Sequence, residues 1–196
     1  MRDTYYIEHR NDVINKQDMM KHIIGFTLGD GSLSRYGYNK NAQYRIQQLY
    51  THADYILYQA CILSTLTKIK INDIPEHYTK TRHNNRAMYL STMGHPVYST
   101  IQERMYHYGR KTLTAHDAQY IDAQVLSYLI QDDGSFNKDR RRLYIATHSF
   151  SEQENKLLRD VIADKINVHA NIGKSNHKTG VKYWLWFNTK QTSNVI

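Results

Sequence analysis

The chain has 196 residues, enough to bury a sizeable core as one domain or as two fused halves. Lys and Arg outnumber Asp and Glu by 26 to 18, giving a net charge of +8 and a pI near 9.4. This surplus favours a polyanionic partner, nucleic acid or an anionic surface. No apolar run approaches the ~20 residues that cross a membrane. Residues 1–22 lack the apolar core of a secretory signal, and the single cysteine, Cys61, excludes an internal disulfide. The expected setting is therefore a reducing intracellular compartment, with mitochondrial matrix, another organelle and bacterial or phage cytoplasm not distinguished.

In chain order, residues 1–20 read as a loose polar arm with a short helix. Residues 19–29 form an apolar helix, and Ser32 to Lys40 is a polar stretch rich in Tyr, Arg and Asn. The segment 42–50 carries strand formers in partial alternation. Residues 53–66 have Ile56, Leu57, Ala60 and Leu63 at helical spacing, with Cys61 expected as a small buried hydrophobe. KIKIND (68–73) reads as a loop entry. EHYTKTRHN (76–84) and RAMYLST (86–92) read as a hairpin turning at His83-Asn84-Asn85. Pro96 opens a helix that Gly109 closes, and Arg110 to Thr114 is a basic connector.

The order then repeats. Residues 117–132 form a second apolar helix, Ser135 to Arg142 a polar basic stretch, and 142–150 a strand. Ser151 and Glu154 make a capping box before a helix over 151–166. Two last strands, 168–175 and 180–188, meet around His177-Lys178-Thr179-Gly180. The period is about 100 residues, longer than any solenoid repeat, and suggests two fused copies related by a pseudo-two-fold axis. The expected halves are residues 1–114 and 115–196.

Both apolar helices end in Asp-Gly-Ser, at Asp30 and at Asp133. A helix C-terminus carries partial negative charge, so an aspartate there is mildly disfavoured, by ~0.3–1 kcal/mol. A following glycine is expected as a left-handed cap, which leaves the aspartate unexplained. Gly25 and Gly29 lie on one helix face, and small residues at that spacing let helices approach closely. Ser127 is taken as the residue equivalent to Gly25. If the two helices run side by side, Asp30 and Asp133 meet at the same end, and two such carboxylates repel unless a cation intervenes. Hard oxygen ligands favour Mg²⁺ or Ca²⁺, and carboxylates binding Mg²⁺ in a basic protein point to phosphodiester hydrolysis.

Ile23-Ile24-Gly25-Phe26-Thr27-Leu28-Gly29-Asp30-Gly31 and Leu126-Ser127-Tyr128-Leu129-Ile130-Gln131-Asp132-Asp133-Gly134 resemble the two motif copies of single-chain LAGLIDADG homing endonucleases. The resemblance implies a mixed α/β fold of two αββαββ(α) halves, packed through the two motif helices, with antiparallel sheets forming a saddle on DNA. It implies that Asp30 and Asp133 bind Mg²⁺, with Mn²⁺ as a substitute, and that the Gly29 and Asp132 carbonyls complete the coordination. Gln47 and His148 then take the place of a polar residue that positions water. Lys111 takes the place of a basic residue beside the scissile phosphates. The sheet faces implied to meet double-stranded DNA carry Arg35, Tyr36, Tyr38, Lys40, Tyr44, Arg45, Lys80, Arg82, Asn84 and Arg86 in the first half. In the second they carry Lys138, Arg140, Arg142, Tyr144, Lys174, Asn176, Lys178 and Lys182. Arg and Asn among these suit base edges, Lys the phosphates.

One departure stands out. The second half ends FNTKQTSNVI, so no helix is expected after its last strand pair, and Lys190 alone could replace Lys111 there. The reading is a monomeric, Mg²⁺-dependent, intron- or intein-encoded DNA endonuclease. Its alternatives are an RNA maturase that helps its own intron RNA splice and a non-cleaving DNA-binding regulator. An Asp-Gly turn without metal, and surface histidines without zinc, are the plain readings of the same residues one at a time.

Overall fold

The computed structural model describes residues 3–8, 14–75, 86–178 and 180–195. The chain is a mixed α/β protein with antiparallel sheets, and it divides into two compact units. One comprises Met1–Ile23 and Asp30–Gln102, the other Ile24–Gly29 and Glu103–Ile196. The C-terminal half of the first motif helix, Ile24–Gly29, thus belongs with the residues from Glu103 onward. Among the described residues no helix is long and apolar enough to cross a membrane.

The first unit contains β1 (Thr4–Ile7), β2 (Ser32–Ser34), β3 (Gln43–Leu49), α2 (Ala53–Leu63), β4 (Ile69–Ile74), β5 (Ala87–Thr92) and most of α3 (Pro96–Met105). Its five strands pair antiparallel in the order β1-β4-β5-β3-β2. Strand alternation sends Tyr44, Ile46, Ile69, Ile71 and Leu90 to a buried face. Arg45, Gln47, Lys70, Asn72 and Ser91 take the opposite face, in register across β3, β5 and β4, and Gln43 pairs with Ser34 of β2. The polar arm supplies the edge strand β1, and KIKIND is strand rather than loop, because its Ile69 and Ile71 alternate inward. The expected 76–84 strand and its turn lie outside the described residues. On α2 the buried side is Ile56, Gln59, Ala60 and Leu63, which leaves Leu57 45% exposed and Cys61 exposed rather than buried.

Helix α1 (Lys16–Leu28) begins where the Asn15 side chain accepts a hydrogen bond from the Asp18 N–H at 2.9 Å, three residues before the apolar run. The second unit holds its last turns with β6 (Tyr106–His107), β7 (Arg110–Lys111), α4 (Ala115–Ala118), α5 (Ala123–Asp133), β8 (Gly134–Asn137), β9 (Arg142–Ile145), α6 (Glu152–Ile166), β10 (Asn171–His177), β11 (Gly180–Phe187) and α7 (Thr189–Val195). The expected 117–132 helix is two helices. Thr114 caps α4 by accepting from the Asp117 N–H, and Asp122 caps α5 by accepting from the Val125 N–H at 3.0 Å. The capping box of Ser151 and Glu154 forms as the sequence predicts. Strands pair in the order β10-β11-β9-β8. Helix α7 follows the last strand, where no helix is expected. Its buried Thr192 hydroxyl accepts from the Leu143 N–H at 3.1 Å and donates to the Phe187 carbonyl at 3.2 Å. Polar composition conceals this helix, because one threonine anchors it rather than an apolar stripe. The element order that follows each motif is the same: motif helix, two strands, helix, two strands, helix.

Within the second unit the end of α1 packs on α5 through a notch. A Cβ on Gly25 would stand 2.8 Å from the Tyr128 ring, and one on Gly29 would stand 2.0 Å from the Asp132 carboxylate. Tyr128 is thus the residue that faces Gly25, and its ring lies 4.6 Å from that of Phe26. Ser127 is exposed and bonds back to the Gln124 carbonyl. The packing is large into small, not small on small.

Alanine normally favours a helix over glycine by ~1 kcal/mol. The Tyr128 contact reverses the sign here, so Gly25→Ala should lower unfolding free energy by about 1–3 kcal/mol. Urea denaturation checks this, and an unchanged or raised midpoint would contradict the notch.

Candidate active site and nucleic-acid face

Asp30 stands two residues beyond the end of α1 and is exposed, with Gly31 buried behind it and β2 starting at Ser32. Gln48 donates from Nε2 to Asp30 Oδ2 at 3.1 Å. The glutamine at this carboxylate is therefore Gln48, not Gln47. Period-two alternation explains the shift: Gln48 continues the inward side of Tyr44 and Ile46, whereas Gln47 is exposed on the opposite face beside Tyr89.

Asp133 is the last residue of α5, and the chain passes straight into β8. Gly134 has φ −80 and ψ 144, so the cap is extended, not left-handed. A Cβ there would come within 2.2 Å of the Ile130 carbonyl oxygen, which is the reason for glycine. The Asp133 carbonyl accepts from the Ala146 N–H at 2.9 Å, tying the end of α5 to the end of β9.

Lys111, on β7, donates from Nζ to the Gly29 carbonyl at 2.6 Å. The ammonium thus meets the negative end of α1, where a cation is favoured. The next residue back, Arg110, makes a two-pronged ion pair with Glu154 at 2.8 and 3.3 Å and also donates to the Ser149 carbonyl at 3.1 Å. Burial pushes the Glu154 carboxyl up, but the hydrogen bonds from Arg110, Ser151 and the Leu113 N–H outweigh it and hold the group below its ordinary value. Arg110 therefore joins the Lys111 hairpin to the turn that carries His148. His148 is exposed in that turn, beyond the end of β9 rather than within the strand, with its ring edge-on to Trp184 at 6.2 Å.

Arg35, Tyr36, Tyr38 and Lys40 are exposed between β2 and β3, and the Arg45 guanidinium lies 5.0 Å from the Tyr36 ring. Tyr44 does not join them. It is fully buried, and its hydroxyl donates to Gln59 at 2.7 Å. Arg86 is turned to the helix side, where it pairs with buried Asp73 at 2.9 and 3.1 Å and stacks 3.8 Å from the Tyr50 ring. That pairing holds the Asp73 carboxyl below its usual range. Lys80, Arg82 and Asn84 lie outside the described residues.

In the second unit Lys138 and Arg140 are exposed in the β8–β9 turn, and Arg142, Tyr144 and Lys182 share the outward face of the sheet. Lys178 is exposed at the β10–β11 turn. Lys174 and Asn176 fall on the other side, opposite Tyr183 and Val181, and the Tyr183 hydroxyl donates to Glu152 of α6. Their places are taken by Ser175 and His177, one residue out of phase. Lys190 is exposed in the first turn of α7.

Residues 20–195 match the LAGLIDADG DNA endonuclease family. The chain belongs to that family. Similar folds include the homing endonuclease I-WcaI bound to its DNA recognition sequence, with a TM-score of 0.74 and 16% identity over 94% of this chain and 81% of that one. Another is I-DmoI in complex with DNA and Ca, with a TM-score of 0.54 and 17% identity over 91% of this chain and 87% of that one. A third is the N-terminal LAGLIDADG domain of WhiA, with a TM-score of 0.55 and 15% identity over 94% and 85%.

The two LAGLIDADG motifs thus end on Asp30 and Asp133. Among the described residues no three His, Cys, Asp or Glu side chains gather as a metal site. The donors fit a hard divalent ion nonetheless: carboxylate oxygens, and a Gly29 carbonyl that already attracts the Lys111 ammonium. The contacts of Gln48 and Arg110 are not legible in the sequence beyond a second glutamine beside Gln47 and a basic pair at 110–111, and the capping box marks Glu154 without its ion pair.

A carboxyl held below its ordinary value of 4.5 stabilises the fold above that value and ceases to do so as pH falls through its folded value. Glu154→Gln should cost about 1–3 kcal/mol at pH 7. The difference from the unaltered chain should shrink as the pH is lowered below about 4, measured by urea unfolding across that range. A difference independent of pH would contradict the ion-pair account.

Proposed function

We propose that the chain is a site-specific endonuclease for double-stranded DNA that acts as a monomer with Mg²⁺, for which Mn²⁺ substitutes. The single observation that carries this reading is that both LAGLIDADG motifs retain their terminal carboxylates, Asp30 and Asp133, where each motif helix gives way to the edge strand of an antiparallel sheet, β2 and β8. Family membership and the likeness to I-DmoI, solved with DNA and Ca, support it.

Asp30 and Asp133 would hold a divalent metal, with the Gly29 and Asp132 carbonyls as further donors, and a metal held there would supply polarisation of the scissile phosphate and a lowered pKa for an attacking water. The residues of the chain do the remaining work. Gln48 fixes the orientation of the Asp30 carboxylate. Lys111 places positive charge at the end of α1, where it offsets charge developing on a phosphate. His148, exposed and braced by Trp184, orients a water. Arg45, Lys70, Asn72, Arg142 and Lys182 take the DNA, Arg and Asn at base edges and Lys at phosphates. The encoding element is an intron or intein, and the site of action is intracellular.

The test is cleavage of a duplex carrying the fused sequence that flanks the gene's insertion point. Mg²⁺ should support cutting, and Asp30→Asn or Asp133→Asn should reduce it at least a hundredfold while duplex binding in Ca²⁺ persists. Tight duplex binding without cutting in Mg²⁺ or Mn²⁺ would contradict the endonuclease and favour a maturase or a regulator.

A further inference from the structure

The outward faces of the two sheets differ in chemistry. In the first unit that face carries Arg45, Ser91 and Lys70 in one row and Gln47, Tyr89 and Asn72 in the next. In the second, two indoles stand among Tyr144, Arg142 and Lys182. Trp186 pairs with Tyr144 across β11 and β9, and Trp184 stands two residues along the same face. Both tryptophans are only half-buried.

These rings are braced on the surface. A Cβ on Gly173 would meet three atoms of the Trp184 indole at 2.2–2.5 Å, so the ring covers the backbone of β10 at the one residue of that strand that leaves room. His148 closes the edge of Trp184, and the Arg142 guanidinium stacks 4.8 Å from the Trp186 ring. Leu185 and Phe187 fill the core from the other side of the same strand, so the tryptophans are not core residues left over. The part of each indole left open on this face is apolar surface that a ligand can cover at a gain. The apolar feature that duplex DNA presents in its major groove is the C5 methyl of thymine.

We propose that Trp184 and Trp186 are specificity-determining residues that read thymine methyl groups, so that the second unit selects its half-site by apolar contact while the first selects by hydrogen bonds. This rests on the reading of the sheets as DNA-binding faces. Arg142 is held by Trp186 in a position to pair with a neighbouring guanine or phosphate.

The experiment starts by selecting bound duplexes from a randomised pool in Ca²⁺. Each thymine of the selected site is then replaced singly by deoxyuridine, which lacks only the methyl. Binding should weaken about fourfold at one or two neighbouring thymines in one half-site, the fold-change for one buried methylene-sized group. Trp184→Ser or Trp186→Ser should bind thymine and uracil duplexes equally at the affected position. Tight binding with no position sensitive to deoxyuridine would overturn the inference, as would sensitivity that survives in both variants. Preference for single-stranded over duplex DNA would also overturn it, because the rings would then stack on unpaired bases. Should a serine variant unfold by circular dichroism, the deoxyuridine series on the unaltered protein still decides. Failure to select any duplex would overturn the DNA-binding reading itself.

Discussion

The approach of the last turns of α1 to α5 is the constraint on which the rest of the second unit depends. Gly25 and Gly29 remove two side chains from one helix face, and Tyr128 and Asp132 occupy the room. Both pairs recur at four-residue spacing, so one contact line fixes the axial register of the two helices. Register matters because Gly29 is the residue before Asp30, and Asp132 the residue before Asp133. A slip of one residue would move each terminal carboxylate by about 1.5 Å and rotate it by about 100°.

Electrostatics builds on that register. A helix C-terminus ending in aspartate stacks like charges, and the chain answers with cations held in place. Lys111 meets the Gly29 carbonyl, and its neighbour Arg110 is locked by Glu154, itself fixed by the capping box that starts α6. The chain thus spends two of its basic residues on holding the site together. Arg86 is a third, committed to Asp73. Net positive charge alone therefore overstates the surface available to a polyanion.

Sequence periodicity carried much of this fold. Regions of the motif helices, β3, α2, β5, α6 and β11 are legible in apolar spacing and capping chemistry, and the repeated element order with two Asp-Gly endings is enough to indicate the family. The misses have specific causes. KIKIND hides a strand behind two lysines, α7 is anchored by Thr192 rather than by an apolar stripe, and two N-caps split one expected helix into α4 and α5. At the site, strand phase decided between Gln47 and Gln48, and between Lys174 and Ser175. A polar strand with few apolar residues does not announce which face is inward, so a one-residue error exchanges the two faces. Tyr44 and Arg86 show the same limit from another side: polar tips and charges go inward wherever Gln59 or Asp73 offers a partner.

The central claim is that Asp30 and Asp133 bind divalent metal on a DNA-bound chain. Anomalous diffraction from crystals of the complex with its selected duplex, grown in Mn²⁺, tests it most directly. The account predicts anomalous peaks within coordinating distance of both carboxylates. DNA seated on the outward sheet faces, with no peak at either aspartate, would contradict it.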